Sequence, residues 1–237
     1  MNWQTSPPVL ALRNLGRRLG INRQLALWLN GSGYETRYDN AFITALQPGN
    51  CVWDVGANVG YYTQLFADRI GPSGQVIAFE PSPINFQHLQ RACADRHNVK
   101  LMPLGLGHED SEVSFLQGSD DLGASSRIVD PISVKPEVAI ETVKIKTGSG
   151  LIQSHQVPLP NAIKIDVEGF ELEVLQGMAN QLANPALSLI GIEVHFTILQ
   201  GRGLGAAPQQ INQLLQSHGF TIEWVDTSRL IATRHRP

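Results

Sequence analysis

What most constrains this chain is a rhythm that begins at Cys51. Short apolar runs alternate with stretches of helical spacing. The pattern predicts a strand over Cys51–Val55, a helix over Tyr61–Ile70, a strand over Gln75–Glu80, a helix over Pro83–Arg96 and a strand over Val99–Leu104. A hairpin extension is expected over Glu112–Leu116, an alternating strand over Val138–Lys146 and a short helix over Leu151–His155. The rhythm then resumes: strand over Ala162–Ile165, helix over Phe170–Met178, strand over Leu187–Val194, helix over Pro208–His218. Strands and helices that keep alternating imply an α/β, doubly wound, Rossmann-like fold with a mainly parallel sheet covered on both faces. Two last strands, Phe220–Val225 and Leu230–Thr233, are joined only by Asp226-Thr227-Ser228, which implies an antiparallel strand at the C-terminus.

Two segments stand outside that rhythm. Residues 1–33 read as a helical N-terminal extension, closed by the breaker cluster Asn30-Gly31-Ser32-Gly33, so the main domain is expected over residues 34–237. Before Glu35 the chain carries Arg13, Arg17, Arg18 and Arg23 and no acid, with Leu12, Leu15 and Leu19 at helical spacing among them. A basic amphipathic helix of this kind allows weak peripheral membrane contact through residues 9–28. A cap helix with its arginines in water is the preferred reading. Residues 117–136 lack periodicity, and 117–150 is expected to be a variable insert on the substrate side.

Composition narrows the class further. The formal net charge of −3 gives no global basic field to recruit nucleic acid. The two cysteines, Cys51 and Cys93, form no CxxC pair, and Cys51 opens an apolar run as a small buried hydrophobe would. The chain has no apolar run of the roughly 18 residues a membrane span requires. It also shows no compact N-terminal apolar core with a cleavage site, and a cytoplasmic location is expected.

In a doubly wound sheet the ligand lies beyond the carboxyl ends of the strands. The stretch CVWDVGANVGYYT puts Asp54 near the end of the first strand, with Gly56 and Gly60 in the turn to the helix. The second strand ends in VIAFE, and Glu80, 24 residues after Gly56, is placed to accept both hydroxyls of a ribose. A nicotinamide dinucleotide calls for Gly-x-Gly-x-x-Gly at such a turn, and Gly56-Ala57-Asn58-Val59-Gly60 lacks that spacing. Asp54 would also repel a pyrophosphate. It suits a cationic nucleoside ligand, and S-adenosylmethionine carries a sulfonium and an ammonium. Asp54 is expected to hold the ammonium directly or through water, with Gly56 and Asn58 along the methionine portion. A ligand-free tight turn would also use Asp-x-Gly. Glu80 within an α/β frame favours the nucleoside.

Three blocks, DVGANVGYYT, GQVIAFEPSPINFQHLQR and IKIDVEGFELEVLQGM, together resemble the FkbM-type S-adenosylmethionine-dependent methyltransferases. The resemblance runs from about Tyr34 to about His195, and the third block is the family-specific one. It implies the seven-stranded class I methyltransferase fold and O-methylation of a hydroxyl on a sugar, glycan or natural product. By that resemblance Asp54, Gly56, Asn58 and Gly60 belong to the methionine end of the cofactor pocket. Glu80 belongs to the ribose, and the turn near Leu106 and Gly107 borders the adenine. One departure is visible: such proteins commonly carry Thr-Leu-Asp after the strand that ends here at Lys146, and this chain has Thr147-Gly148-Ser149.

Methyl transfer to an alcohol needs a nucleophile in line with the leaving sulfur and a base for its proton. The strand at Ala162–Ile165 delivers Asp166 and Glu168 to the ligand rim, two residues apart, so an extended segment would turn them to one face. The next strand ends in Glu193-Val194-His195. Neighbouring strands would thus gather Asp166, Glu168, Glu193 and His195. His195 is the natural base by its ordinary pKa. Asp166 would orient it, contact the cofactor, or act as the base if desolvated. Glu168 has the competing reading of capping the following helix. Such a set would also suit a divalent cation, but no ligand spacing requires one and no metal is assigned. The expectation is a methyltransferase acting on a small-molecule or carbohydrate-like acceptor. The alternatives are a nucleotide-dependent oxidoreductase and a non-catalytic adenosyl-binding scaffold.

Overall fold

The computed structural model describes residues 33–116, 127–128 and 140–234. The basic segment before Gly33, with its proposed membrane contact, and most of the insert lie outside the described residues. Helix α1 (Gly33–Ala45) leads into β1 (Cys51–Val55), α2 (Tyr61–Ile70), β2 (Gln75–Phe79), α3 (Pro83–Ala92) and β3 (Val99–Met102). Helix α3 stops short of the expected Arg96. The Cys93 N–H closes on Leu89 O, and Arg96 turns back to pair with Asp68 on α2.

Next come β4 (Gly105–Leu106), β5 (Ser111–Leu116), β6 (Arg127–Ile128), β7 (Ile140–Lys146) and α4 (Gly148–Gln153). Helix α4 starts earlier than its apolar residues suggest, because Thr147 Oγ1 accepts the Gly150 N–H and caps it. The chain finishes with β8 (Ala162–Ile165), α5 (Glu171–Gly177), α6 (Ala179–Leu182), β9 (Leu189–Glu193), α7 (Phe196–Gly201), α8 (Ala207–Ser217), β10 (Thr221–Trp224) and β11 (Arg229–Thr233). Helix α7 was not anticipated, since FTILQG is too short to display a period. Among the described residues no helix is long and apolar enough to cross a membrane.

Seven strands form one sheet in the order β10-β11-β9-β8-β1-β2-β3. From β9 to β3 every pairing is parallel, and β11 runs antiparallel to both of its neighbours. The mainly parallel sheet with an antiparallel C-terminal strand is therefore as expected. Because β1 is central, its residues alternate between two cores. Val52 packs with Phe42, Phe66 and Ile70 of α1 and α2, while Trp53 packs with Phe79, Leu175 and Met178 on the other face. Cys51 is half-buried at the strand's start, and burial pushes its thiol up to about 12. From β1 the chain builds outward to β2 and β3, then returns to place β8 on β1's other side. That order reversal puts the ligand crevice at the carboxyl ends of β1 and β8.

A second, four-stranded sheet in the order β4-β7-β5-β6 has no counterpart in the local sequence pattern. The expected hairpin extension and the expected alternating strand prove to be antiparallel partners, Ser111 opposite Ile145 through Leu116 opposite Ile140. Their pairing spans the insert, so neither strand's own residues announce the other.

Candidate active site

The turn after β1 is built against β2 and β8. The Gly56 and Ala57 N–H groups both donate to Phe79 O at 3.0 Å. Gly56 has φ +79°, and a Cβ there would lie 1.9 Å from the Asp166 carbonyl oxygen, so only glycine lets the β1 and β8 ends approach this closely. Gly60 serves packing instead: a Cβ there would meet Leu89 Cδ1 of α3 at 2.8 Å. Asn58 is left-handed, with φ 51°, and its N–H donates to Glu80 Oε2 at 2.8 Å.

Glu80 links two turns. Its other oxygen, Oε1, accepts the Ser82 N–H at 2.9 Å. Each carboxylate oxygen keeps a further lone pair, so the site retains the acceptors a ribose needs. Burial pushes this carboxyl up to about 7, against the pull of the Ser82 and Asn58 N–H groups and Lys164. Leu106 is buried among Trp53, Leu104 and Met178, so its side chain belongs to the core and only its main chain is free to border an adenine.

Asp54 is fully buried. Its Oδ2 accepts from Thr63 Oγ1 at 2.6 Å. Its Oδ1 accepts no hydrogen bond among the described residues and is held by charge, with Lys164 Nζ 3.3 Å away. The expected direct contact of Asp54 with a ligand ammonium is thus not what the structure presents, since an internal ammonium already occupies that side. Lys164 also lies 3.4 Å from Asp166 Oδ2, donates to Gly56 O at 3.1 Å and stands 5.0 Å from the Tyr62 ring centroid. The Tyr62 hydroxyl donates to Asp39 Oδ1 at 2.6 Å, which holds that ring against the core.

Three of the four residues expected to gather do so. His195 Nε2 lies 3.6 Å from Asp166 Oδ1 and 3.4 Å from Glu168 Oε2. The route is not the extended segment expected. Strand β8 ends at Ile165, and Glu168 and Gly169 are both left-handed, which curls Glu168 back toward His195. Glu168 does not cap α5, because it faces the imidazole while Glu171 accepts the Gly169 N–H at 2.8 Å. The fourth residue, Glu193, turns to Arg229 of β11, with Oε2 3.0 Å from Nε.

Glu171 and Lys164 are the residues the sequence reading passed over. Glu171 Oε1 lies 2.7 Å from His195 Nδ1, and its carboxyl is fully buried. A lysine inside the buried parallel strand AIKI was the available signal for Lys164, since an unpaired charge is not tolerated there. Burial works to lower the His195 pKa, but the Glu171 hydrogen bond and the charges of Glu168, Asp166 and Glu171 overcome it, and the net result is about 9. Burial also raises the Glu168 carboxyl, with the His195 charge opposing.

Asp54, Asp166, Glu168 and Glu171 together outnumber Lys164 and His195, so this edge is negative even with the imidazole protonated. The acceptors of Glu80 fit the ribose of a cationic, ribose-bearing donor, and the negative edge formed with Asp166 and Glu168 fits its positive charge. Among the described residues no group of three or more His, Cys, Asp or Glu is arranged to hold a metal ion.

Comparison with known proteins places the fold and the family. The solved Streptococcus mutans protein SMU.1697c, determined with SAH, shares the fold at a TM-score of 0.51, with 11% identity, over 86% of this chain and 99% of that one. Hexuronic acid methyltransferase AglP of Haloferax volcanii is 30% identical over 180 residues, 75% of this chain and 66% of its own length. The 31-O-demethyl-FK506 methyltransferase FkbM of Streptomyces tacrolimicus is 28% identical over 204 residues, 75% of each chain. The Methyltransferase FkbM domain matches residues 54–222, which removes the oxidoreductase alternative. The fold is that of class I S-adenosylmethionine-dependent methyltransferases, and this chain belongs to the FkbM methyltransferase family.

Proposed function

We propose that this chain transfers a methyl group from S-adenosylmethionine to a hydroxyl of a sugar or sugar-bearing acceptor. One observation carries the reading: at the crevice edge, His195 is held by buried Glu171 through one ring nitrogen and faces Asp166 and Glu168 with the other. S-adenosylmethionine, when bound, supplies an electrophilic methyl on a sulfonium.

The chain's own groups divide the remaining work. Glu171 accepts a hydrogen bond from His195 Nδ1–H, which assigns the tautomer and leaves Nε2 as the base for the hydroxyl proton. A cation bound at the same edge disfavours the imidazolium and lowers its pKa from about 9. Asp166, flanked by Lys164 and His195, is the positioned acceptor beside the reacting hydroxyl. Glu80 holds the ribose, and the Gly56–Gly60 turn borders the methionine portion.

The haloarchaeal relative is named for a hexuronic acid, which supports a sugar acceptor. A hexuronic acid offers both hydroxyls and a carboxylate. The acidic cluster repels the carboxylate and leaves the hydroxyl as the group that can approach.

Two measurements test this. Titration with S-adenosylhomocysteine should raise the melting temperature and NAD should not; stabilisation by NAD alone would overturn the donor assignment. Incubation with S-adenosylmethionine and a panel of hexuronosides, neutral glycosides and macrolide alcohols should give an alkali-stable ether heavier by one methylene. An alkali-labile ester would move the reaction to the carboxylate. Binding without turnover of any acceptor would favour the scaffold reading.

A further inference from the structure

Among the described residues three large apolar side chains are exposed: Phe196, Ile198 and Trp224. Phe196 and Trp224 meet beside His195, and Ile198 lies further along α7 toward Gly169. Phe196 follows His195 and opens α7. Ile198 Cγ2 lies 2.7 Å from where a Cβ on Gly169 would stand, against the backbone that follows Glu168. Trp224 ends β10. Because β10 and β9 are both antiparallel to β11, Trp224 reaches the same edge as Glu193. The Phe196 and Trp224 rings are 5.9 Å apart, inclined at 36°. Apolar surface kept exposed at one place marks a contact surface.

The border of the patch tells what it contacts. Glu168 is half-exposed on one side, with Glu193 partly exposed and Glu223 exposed on the other. A wholly apolar acceptor would strip water from these carboxylates and supply no donor in its place. Three side chains fall far short of the roughly 800 Å² per partner of a stable protein interface. A pyranose matches both parts: one ring face presents C–H groups to an aromatic face, and its rim presents hydroxyl donors to carboxylates.

We propose that Phe196 and Trp224 form the stacking platform for the apolar face of an acceptor pyranose, whose hydroxyl is then turned toward His195 and Glu168. This rests on the methyl-transfer reading and names its acceptor-selecting residues.

The test uses the full chain loaded with S-adenosylhomocysteine and titrated with methyl β-D-glucuronoside and methyl β-D-glucoside, by calorimetry and saturation-transfer NMR. At least one sugar should bind, with strongest saturation on the C–H protons of one ring face. Trp224→Ala and Phe196→Ala should each raise the sugar Kd about five- to tenfold, while Trp224→Phe stays within about twofold of wild type. In turnover these losses should appear in KM rather than kcat, and S-adenosylhomocysteine affinity should not change. If the loaded protein binds neither sugar, or Trp224→Ala and Phe196→Ala bind it like wild type, the platform is overturned. Failure to bind S-adenosylhomocysteine at all would instead sink the methyl-transfer reading. Should Trp224→Ala lose its melting transition, Phe196→Ala and Trp224→Phe give the same decision.

Discussion

Asp54 and Lys164 are register partners on the adjacent strands β1 and β8, and their charged ends meet 3.3 Å apart with side-chain exposures of 0% and 4%. Side-chain alternation puts both on the α1/α2 face, where Thr63 and Tyr62 complete their surroundings. The lysine reaches past Asp54 to Asp166, so one buried cation ties the fully buried carboxylate to the one beside His195.

Lys164→Met should therefore be severe. It leaves the Asp54 charge buried without its ion-pair partner, which costs about 3–5 kcal/mol. Urea unfolding of this variant, and of Lys164→Met combined with Asp54→Asn, measures it. The double variant should recover part of the loss. A single-variant loss below about 1 kcal/mol would show that the two charges are not coupled.

His195→Gln should lower kcat by about 10²–10⁴ while leaving S-adenosylhomocysteine affinity nearly intact. Glu171→Gln should weaken the hold on Nδ1 and lower the imidazole pKa, moving the rising limb of the kcat–pH profile to lower pH. Steady-state rates across pH read both. A rate unaltered in His195→Gln at every pH would remove this residue from the chemistry.

Stability should fall toward alkaline pH. The folded His195 pKa of about 9 lies above the ordinary 6.5, so in that window the folded state holds a proton the unfolded chain has lost. The contribution, at most about 3 kcal/mol, is complete below the lower value and lost as pH rises through the upper one. Glu80, raised from 4.5 to about 7, acts in the adjoining lower window with the same sign, since its buried charge is the unfavoured form. Melting curves from pH 5 to pH 10 (roughly the span of both windows) should slope downward, and His195→Gln should flatten the upper part. A wild-type curve level above neutrality would contradict the raised imidazole.

Glu80→Ala should weaken S-adenosylhomocysteine binding by about 1.5–3 kcal/mol if both ribose hydroxyls bond to the carboxylate. It also frees the Asn58 and Ser82 N–H groups, so the melting temperature is followed in parallel. Unchanged affinity in a folded variant would end the ribose assignment.

The residues that carry local information were readable in order along the chain. Apolar periodicity gave β1, β2, β3, β5, β7 and β8 and the helices between them, but not the short β4 and β6, and the Gly56–Gly60 turn with Glu80 was visible as spacing. Boundaries drifted where a tertiary contact draws the chain out of an element, as at Arg96, or where a cap begins one, as at Thr147. The gathering of Asp166, Glu168 and His195 was expected from strand ends, but its cause was not. Alternation suggested one face of an extended segment, whereas left-handed backbone at Glu168 and Gly169 does the turning.

The sequence by itself determined the parallel α/β frame and the family, because each rests on patterns between near neighbours. Tertiary structure alone decided the partner of each charge: Lys164 for Asp54, Glu171 for His195 and Arg229 for Glu193. An ionisable group takes its pKa and its role from what lies within a few ångströms. In a crossover fold those neighbours come from strands far apart in the chain.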